Sequence, residues 1–539
     1  MSKSRVDWVW AVPPSAELRS FSAALVRGEL PSSSEVVKEN RPRTVWRIPD
    51  VAGGLLVKHY RVQAKDALRA LVTPGRAERE YRAMESLCSL DLPTVQPLGY
   101  ADHRKGLRLQ EAWFIARLVA QAQTLSEALG SGEGDPWSLA SQAAHVVAKL
   151  HEHRVLHRDL HAGNLLLDPE GRLLIIDLHS MWRVPRLTRA MRMGNLAHLL
   201  HSMRGWLDLD EAPRFIAEYA RVRGEPVDQL VPQVRRSLEL FQQDYVRGRS
   251  ARCMRNSSEF VGEAHHEGRV HRLRRYPVES LREDLEHHRE ATRLGGAALL
   301  GDAPRCRVSL RDDEAGARVV KEYVDRSPSA SWRCRLGFGK ARGAWKASRR
   351  CQVVGVPTPV ALALIEAPDG SAHTVTEAVH GARPLDVFAD ELEPRREVAL
   401  RHAVAREVGR VVGVLSRAGL RHDDMSTKNW LLGEGSAAST GDLRTDPPPG
   451  MPSVQLIDLD NMKCTAPHDE SSLARMLGQL GDLPAGVTRT DLARFSHGFF
   501  AGAGQALPRK VVLVAQSLTR ARRERRAARE RKLAAGPPA

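Results

Sequence analysis

The feature that most constrains this chain is a short polar pattern that occurs twice. The first copy starts at His157 and reads His-Arg-Asp-Leu-His-Ala-Gly-Asn, and the second starts at His422 and reads His-Asp-Asp-Met-Ser-Thr-Lys-Asn. Both have the order His-x-Asp, four residues, Asn, and each precedes an apolar segment that ends in Asp. A pattern repeated together with its flanking segments indicates that the chain arose by duplication of one domain.

Other segments match between the two halves at nearly one offset, about 264 residues. The strand-like sequence around Lys58 matches the one around Lys321, and Leu92-Pro93-Thr94 matches Val356-Pro357-Thr358. In each half, alternating apolar residues come first, and a helix with core-face spacing leads into the polar pattern. The fold class predicted from this order is α+β.

The polar pattern suits phosphoryl transfer, which needs charge neutralisation and placement of a hydroxyl more than covalent chemistry. Asp159 is predicted to accept or orient the proton of the attacking hydroxyl, and Asn164 and Asp177 offer the hard oxygens that Mg²⁺ prefers. The turn Asp168-Pro169-Glu170-Gly171 joins two apolar segments, so we expect a hairpin that returns Asp177 to Asn164. The corresponding residues of the second copy are Asp424, Asn429 and Asp458.

A lysine on an apolar strand precedes each polar pattern by about a hundred residues, where kinases carry their phosphate-binding lysine. Lys58 is expected to pair with Glu80 on the following helix, with Glu78 as the alternative. The position that matches Glu80 in the second copy is Ala344, so Lys321 has no obvious carboxylate partner from that helix. The first copy is therefore the better candidate for turnover, and the second could bind nucleotide weakly, act as a scaffold or use another partner.

Several features of ordinary protein kinases are missing from the sequence. Neither copy has a G-x-G-x-x-G loop, and a basic turn at residues 40–43 is left to cover the phosphates. The metal-loop triplets are Asp177-Leu178-His179 and Asp458-Leu459-Asp460 in place of Asp-Phe-Gly. These differences count against a eukaryotic-type protein kinase with a regulated activation loop.

The first polar pattern with its following Leu165-Leu166, and then Ile176-Asp177-Leu178-His179, resembles the bacterial lipopolysaccharide core kinases, the Kdo/heptose kinase family. In the second copy the segments Val354–Pro359 and Leu456–Asp460 resemble the same family. The resemblance implies two tandem protein-kinase-like bilobal domains, each with a small mostly-β N-lobe and a larger helical C-lobe. It also implies ATP and Mg²⁺, and phosphorylation of a sugar hydroxyl of the lipopolysaccharide inner core or a related glycolipid.

Carried over to this chain, the resemblance assigns a role to each matching position. The implied catalytic bases are Asp159 and Asp424, the implied ATP-binding residues are Lys58, Glu80 and Lys321, and the implied metal ligands are Asn164, Asp177, Asn429 and Asp458.

The predicted organisation has four parts. Residues 1–30 are an N-terminal extension, 31–250 the first domain, 251–505 the second domain and 506–539 a basic tail. The second domain is expected to begin with a non-repeating hairpin and helix at 251–290, and Gly433–Pro452 is expected to be a flexible insertion because it is rich in Gly, Ser and Pro.

Charge and composition narrow the partners and the compartment. A formal charge of +16 favours anionic partners such as nucleic acid, phosphorylated sugars or an acidic membrane surface, without choosing among them. The resemblance implies that the partner is an anionic glycolipid or a phosphorylated saccharide. The Arg-rich segment Arg520–Lys532 adds the option of peripheral contact with the inner membrane, and its lack of interleaved aromatic residues argues against nucleic acid. The six cysteines are scattered, which argues against a zinc site or a disulfide framework. With no signal peptide or apolar span, we expect a cytoplasmic protein.

Two other functions use the same residues. The first is a protein kinase or a small-molecule phosphotransferase of the aminoglycoside type, since both share this machinery. The second is a tandem pseudokinase that scaffolds envelope assembly, which Ala344 and the unusual triplets favour.

Overall fold

A computed structural model describes residues 5–40, 42–62, 67, 69–132, 135–204, 206, 212–265, 268–314, 316–324, 339–391, 398–433, 453–481 and 487–534. The chain divides into two compact units, Met1–Gln242 and Gln243–Ala539. The division lies within a long helix and a few residues before the predicted boundary at residue 250. Beyond Gly433, the predicted insertion at Gly433–Pro452 lies outside the described residues.

The first unit opens with an antiparallel sheet whose central strands are covered by a hydrophobic cluster on each face. The strands described in the first unit are β1 (Arg5–Trp10), β2 (Glu35–Asn40), β3 (Arg43–Ile48), β4 (Leu55–Arg61), β5 (Pro97–Lys105), β6 (Arg108–Arg117), β7 (Gln123–Thr124), β8 (Val155–His157), β9 (Leu165–Leu167), β10 (Leu173–Ile175) and β11 (Met181–Arg183). The first six form this sheet, and the other five form two smaller sheets. The sheet has the order β1-β5-β6-β4-β3-β2. Because side chains alternate along β4, Val57 packs into one hydrophobic cluster, while Tyr60 and Lys58 share the other face.

The helices of the first unit cover these faces and build a second core. They are α1 (Ala16–Val26), α2 (Arg76–Ser89), α3 (Leu125–Ser131), α4 (Pro136–Glu152), α5 (Arg189–Met203), α6 (Ala212–Arg223) and α7 (Val227–Ala251). Leu18, Phe21 and Leu25 of α1 pack against the sheet face that carries Val57. The segment predicted as an N-terminal extension is therefore part of the sheet and its cover, through β1 and α1.

Helix α2 lies on the other face of the sheet and brings a carboxylate into it. The helix buries Ala77, Glu80, Tyr81, Met84 and Leu87, a stripe with the i, i+3, i+4, i+7 spacing of a core-facing helix. Glu80 therefore points inward although it is charged. Glu78 lies off this stripe and pairs with Arg82 at 2.5 Å instead.

The second unit repeats this sheet with one more strand. Its described strands are β12 (Phe260–His265), β13 (Gly268–Leu273), β14 (Gly301–Ala303), β15 (Cys306–Arg311), β16 (Arg318–Tyr323), β17 (Ala361–Glu366), β18 (Ala372–Glu377), β19 (Arg383–Pro384), β20 (Leu420–His422), β21 (Trp430–Gly433), β22 (Ser453–Leu456) and β23 (Met462–Cys464). The sheet order among described residues is β12-β13-β17-β18-β16-β15-β14. From β13 onward it corresponds strand by strand to the sheet of the first unit.

The helices of the second unit extend the correspondence. They are α8 (Val278–Leu294), α9 (Lys340–Val354), α10 (Leu385–Glu391), α11 (Val398–Arg417), α12 (Glu470–Leu480), α13 (Arg489–Ala503) and α14 (Arg509–Ala534). Residues 251–290 were expected to have no counterpart in the first unit, and for β13 and α8 this expectation is wrong. Strand β13 and helix α8 take the places of β1 and α1, because both pairs flank the same edge and face of the sheet.

Helices α11 and α13 pack backbone against backbone through glycines. Gly409 and Gly413 of α11 face carbonyl groups of α13, and Gly498 and Gly502 of α13 face carbonyl groups of α11. A Cβ atom at Gly498 would lie 1.8 Å from the Arg406 carbonyl oxygen, which is closer than any real contact. Side chains at these four positions would force the helices apart.

Replacing Gly498 by Ala is therefore expected to destabilise the second unit by about 3 kcal/mol, the upper range for overpacking a close contact. Denaturant unfolding of the full chain would measure the change. The matched control is Gly194→Ala in α5, where an added Cβ meets nothing within 4 Å. There we expect no loss and a gain of up to about 1 kcal/mol from helix propensity. Equal stability of Gly498→Ala and the wild type would contradict the close packing.

The predicted basic tail is largely a helix of the second unit. Val511 and Ala515 of α14 are buried, and the Thr519 hydroxyl donates to the Gly478 carbonyl of α12 at 3.2 Å. The later arginines of α14 are exposed where their side chains are described. Across the described ranges, none of the helices is both long and apolar enough to cross a membrane.

Candidate active site

The first unit holds a lysine and a carboxylate together inside the protein. Lys58 Nζ lies 2.5 Å from Glu80 Oε1, and the Tyr60 hydroxyl donates to Glu80 Oε2 at 2.5 Å. Glu80 is fully buried and the Lys58 side chain is only 8% exposed. Burial, and then the charge of Glu80, raises the pKa of Tyr60, so the phenol stays protonated and donates. The predicted pair of Lys58 and Glu80 is present, and Glu78 is not the partner.

The polar loop of the first unit is held by its own backbone. The Asp159 amide donates to His157 Nδ1 at 3.2 Å, and His157 Nε2 donates to the Ile176 carbonyl at 3.3 Å. Burial lowers the pKa of His157, so a neutral ring can accept at one nitrogen and donate at the other. Asn164 Nδ2 donates to the Asp159 carbonyl at 2.8 Å. These bonds fix the loop and leave the Asp159 side chain 52% exposed.

The predicted hairpin returns Asp177 to Asn164. Strands β9 and β10 pair with Ile175 opposite Leu165, and the Ile176 amide donates to the Asn164 carbonyl at 3.0 Å. The Pro93 carbonyl accepts from the Ile175 amide at 2.9 Å, and the matching Pro357 carbonyl of the second copy accepts from the Leu456 amide at 3.0 Å. Asp177 has φ 59°, a left-handed conformation that is uncommon outside glycine but tolerated by Asp.

The Asp177 carboxylate lies among one histidine and two basic side chains. His179 Nδ1 is 2.8 Å from it, Arg43 Nη1 3.3 Å and Lys58 Nζ 3.6 Å. Burial alone would raise the pKa of Asp177, but the hydrogen bond from His179 and the charges of Lys58 and Arg43 outweigh it and hold that pKa well below its usual value. The hairpin brings Asp177 back near Asn164 in the chain path, and a carboxylate together with an amide oxygen is a hard donor set that fits Mg²⁺.

Three residues near the loop were not assigned by the sequence. Arg43 belonged to the predicted basic turn, but its contact with Asp177 spans two distant segments. His161 Nε2 lies 3.8 Å from Asp159 Oδ2, and the His198 ring packs near His161 with 6.1 Å between centroids. The histidine within the polar pattern was the one available signal for this group.

A chain of buried hydrogen bonds connects the helices of the first unit to the polar loop at His157. His151 Nδ1 bonds the Tyr219 hydroxyl at 2.9 Å, and His151 Nε2 bonds Asn195 Oδ1 at 3.2 Å. Asn195 Nδ2 then donates to the His157 carbonyl at 2.6 Å. Burial lowers the pKa of His151 to about 4, so the ring is neutral at ordinary pH.

This histidine predicts an acid sensitivity of the first unit. Between pH about 6.5 and 4 the unfolded chain binds a proton at His151 that the folded chain excludes. The free energy of unfolding should therefore decrease by up to about 3 kcal/mol as the pH is lowered through this range. Denaturant unfolding at several pH values would measure it, and His151→Gln should flatten that part of the slope. His153→Gln, two residues on at the helix end, is the control and should keep the wild-type slope. A wild-type slope in His151→Gln would contradict the assignment.

The second unit builds the same loop with a different surround. The Asp424 amide donates to His422 Nδ1 at 3.1 Å, and Asn429 Nδ2 donates to the Asp424 carbonyl at 2.8 Å. The Ile457 amide donates to the Asn429 carbonyl at 2.9 Å, and Asp458 has φ 60°. The structure therefore brings Asp424, Asn429 and Asp458 together as the sequence predicts.

The lysine of the second unit has another partner. Lys321 Nζ forms an ion pair directly with Asp458 Oδ1 and lies 3.9 Å from Asp460 Oδ2. Ala344 of α9 packs against a hydrophobic cluster, so that helix offers no carboxylate at this position. Burial raises the pKa of Asp460, and the charge of Asp458 adds to the rise. Where the first unit has His179 bonded to its metal-loop Asp, the second has another acidic side chain, Asp460.

A buried Lys–Glu pair, a His-x-Asp loop with its Asn, and an Asp on a returning hairpin are the parts with which kinase-like phosphotransferases act. The family model described as "Lipopolysaccharide kinase (Kdo/WaaP) family" matches residues 35–219 and 321–498, once in each unit. The chain belongs to this family, as its motifs predicted, and it is a phosphotransferase with an α+β fold.

Several curated relatives are similar to part of this chain. A 3-deoxy-D-manno-octulosonic acid kinase of Stenotrophomonas maltophilia (strain R551-3) is 28% identical over 228 residues, which cover 41% of this chain and 79% of that protein. One of Xanthomonas campestris pv. campestris (strain B100) is 33% identical over 129 residues, which cover 24% and 50%. The structure "WaaP in complex with acyl carrier protein" is 23% identical, covers 47% of this chain and 96% of its own, and has a TM-score of 0.33, too low to support an argument.

Proposed function

We propose that the first unit transfers the terminal phosphoryl group of ATP to a sugar hydroxyl of the lipopolysaccharide inner core or a related glycolipid. The observation that carries the proposal is the buried pair of Lys58 and Glu80 next to Asp177, in the same unit as Asp159. The names of the curated relatives favour a 3-deoxy-D-manno-octulosonic acid residue as the acceptor.

In this proposal each residue has one task. Asp159 orients the acceptor hydroxyl and takes its proton, which its exposed side chain allows. Lys58 contacts the phosphates of ATP and is aligned by Glu80. Asn164 and Asp177 would hold Mg²⁺, which would neutralise charge on the phosphates. Arg43, at the start of β3, supplements this positive charge.

We further propose that both units are bilobal kinase-like domains, with the sheet as the small lobe and the helices as the large one. The second unit then has a supporting or acceptor-holding role. The contact of Lys321 with Asp458 supports this, because it joins the lysine directly to the residue proposed to bind metal. A lysine paired in this way must leave its partner before it can serve a nucleotide.

The exposed arginines of α14 support peripheral contact with the inner membrane in a cytoplasmic protein. Clustered Arg and Lys gain affinity close to an anionic lipid surface, at about 1 kcal/mol for each residue near it. The buried start of α14 would anchor this helix to the second unit while its later part stays available.

The test is an assay of the purified full chain with Mg²⁺, labelled ATP and deacylated inner-core oligosaccharide. We expect label on the saccharide and a mass increase of one phosphate. Parallel reactions with an aminoglycoside panel and with protein acceptors cover the other enzymatic reading, and label only on those would overturn the sugar assignment. Absence of nucleotide binding by calorimetry, with and without Mg²⁺, would favour the scaffold.

A further inference from the structure

A group of three metal-ligating side chains lies in the second unit, on three separate elements. His288 comes from α8, Glu322 from β16 and His373 from β18. One ligand atom of each lies within 4.8 Å of the other two. Glu322 and His373 are direct neighbours across the pair of strands, and the helix places His288 over them. None of the three has a role in the proposed phosphoryl transfer.

The buried histidine of this group has one nitrogen committed and one available. His288 is only 2% exposed, and its Nδ1 lies 2.7 Å from the Ser309 hydroxyl. Its Nε2 is buried, faces Glu322 Oε2 at 3.5 Å and makes no hydrogen bond of good geometry among the described residues. If Nδ1 donates to Ser309, Nε2 carries a lone pair that points into the group. Histidines that bind metals are commonly oriented in this way through their other nitrogen.

The spacing suits a shared metal ion better than a hydrogen bond. His288 Nε2 lies 3.5 Å from Glu322 Oε2, beyond the usual hydrogen-bond range of about 2.7–3.2 Å. Two ligands of one tetrahedral zinc ion lie about 3.3–3.5 Å apart, given bonds of about 2.0–2.1 Å. The rings of His288 and His373 meet edge to face with 5.7 Å between centroids, so their edges can converge.

The surroundings are compatible with a cation. Arg307 Nη1 approaches Glu322 Oε2 at 3.4 Å, and this favours the ionised carboxylate, which is the form that binds a metal. Arg307 also competes with a metal for Glu322 Oε2. A metal ion would therefore bind the other carboxylate oxygen or displace the arginine from this one. Two imidazoles and one carboxylate form the ligand set that zinc accepts with a fourth position open to water.

The first unit has no such group at the matching positions among its described residues. His59 and Trp113 occupy the register positions of Glu322 and His373, and their rings stack with 5.1 Å between centroids. An aromatic stack thus stands in the first unit where the second has the three ligands. The duplication therefore supplies an internal comparison for the site.

We propose that His288, Glu322 and His373 form a zinc site that ties α8 to the sheet of the second unit. The sequence argument against zinc was based on cysteines, and this site uses none. A zinc ion here would link the helix to the strand that carries Lys321, the residue next to Glu322. It would stabilise the second unit, because a ligand that binds only the folded state shifts unfolding to higher temperature.

The test uses the full chain, stripped with EDTA and titrated with Zn²⁺ against a chromophoric chelator. Wild type is expected to bind one more tight equivalent than Glu322→Gln or His373→Gln. His287→Gln is the control, because His287 precedes His288 on the helix but bonds the Leu310 carbonyl. It should retain the wild-type number. Zinc should also raise the melting temperature of wild type and of the control only.

Circular dichroism of each metal-free variant checks that it folds. Two separate ligand variants are used so that the test still holds if one of them does not fold. Co²⁺ bound to the wild-type chain offers a measurement that needs no variant, since a tetrahedral site gives visible ligand-field absorption that Zn²⁺ abolishes. Equal zinc numbers in wild type and both ligand variants would overturn the site. So would the absence of a tetrahedral Co²⁺ spectrum in the wild type.

Discussion

Replacing Asp159 by Asn is expected to lower kcat for transfer to an inner-core saccharide by about 10³-fold, within the range of 10²–10⁴ typical of a lost general base. The matched change Asp424→Asn in the second unit should lower it by less than about twofold. The two residues occupy the same place in the repeated loop, so their comparison isolates the surroundings. Initial rates with saturating Mg²⁺ and ATP would measure both.

Both substitutions should leave the fold intact. The loop around Asp159 is held by its backbone amide and carbonyl, through His157 and Asn164, and these bonds do not involve the carboxylate. The melting temperature of each variant serves as the control. Equal losses in the two variants would contradict an inactive second unit, and an active Asp159→Asn with an inactive Asp424→Asn would reverse the assignment.

Replacing Lys58 by Met is expected to lower kcat/KM for ATP at least about hundredfold, since in the proposed function Lys58 supplies the charge that faces the phosphates. Lys321→Met in the second unit should change the same constant by less than about threefold. Lys58 is paired with a helix carboxylate and so is held ready, whereas Lys321 is joined to Asp458.

Removing one member of a buried ion pair also destabilises the protein, by about 3–5 kcal/mol. A second variant is therefore needed beside Lys58→Met. Glu80→Gln preserves shape and leaves an acceptor for the Tyr60 hydroxyl, and it should weaken ATP use while unfolding less readily than Lys58→Met. Calorimetry with ATP and Mg²⁺ separates binding from fold, when read beside thermal denaturation. Full ATP use by a folded Lys58→Met would refute the role given to this lysine.

The two units differ in the side chains that contact the metal-loop Asp at matching positions, and this difference supports the proposed difference in their roles. The metal-loop Asp of the first unit lies among His179, Arg43 and Lys58, so its charge is heavily compensated. In the second unit, Asp458 shares Lys321 with Asp460, which adds a carboxylate. The second site therefore has another acidic side chain beside its metal-loop Asp, and its lysine lacks the helix carboxylate that pairs with Lys58.

Much of the candidate site was open to sequence reasoning because its parts are close in the chain or repeat in it. The spacing from Asn164 to Asp177 implied a hairpin, and strand pairing in the structure confirms it. The pairing of Lys58 with Glu80 followed from a strand and the next helix, and Glu80 was favoured over Glu78. The helical stripe on α2 explains that preference, since only Glu80 is on the buried face.

Other features depend on elements that no local pattern connects. Strand β1 pairs with β5 across most of the first sheet's sequence, so residues 1–30 looked like an extension. The counterpart of β1 and α1 in the second unit, β13 and α8, has a different sequence, and only the shared sheet position relates them. Arg43 and Asp177 meet for the same reason, through the packing of the sheet on the loop.

The sequence by itself determined the repeated segments, the two polar loops, the family and the missing helix carboxylate at Ala344, because each depends on residue types at short or repeated spacing. Tertiary structure alone decided what Lys321 binds in place of that carboxylate, where the terminal segments belong, and that His288, Glu322 and His373 converge. Those outcomes depend on which faces of a helix and a sheet are buried against each other. Burial of that kind is a property of the whole packed unit, and no short segment encodes it.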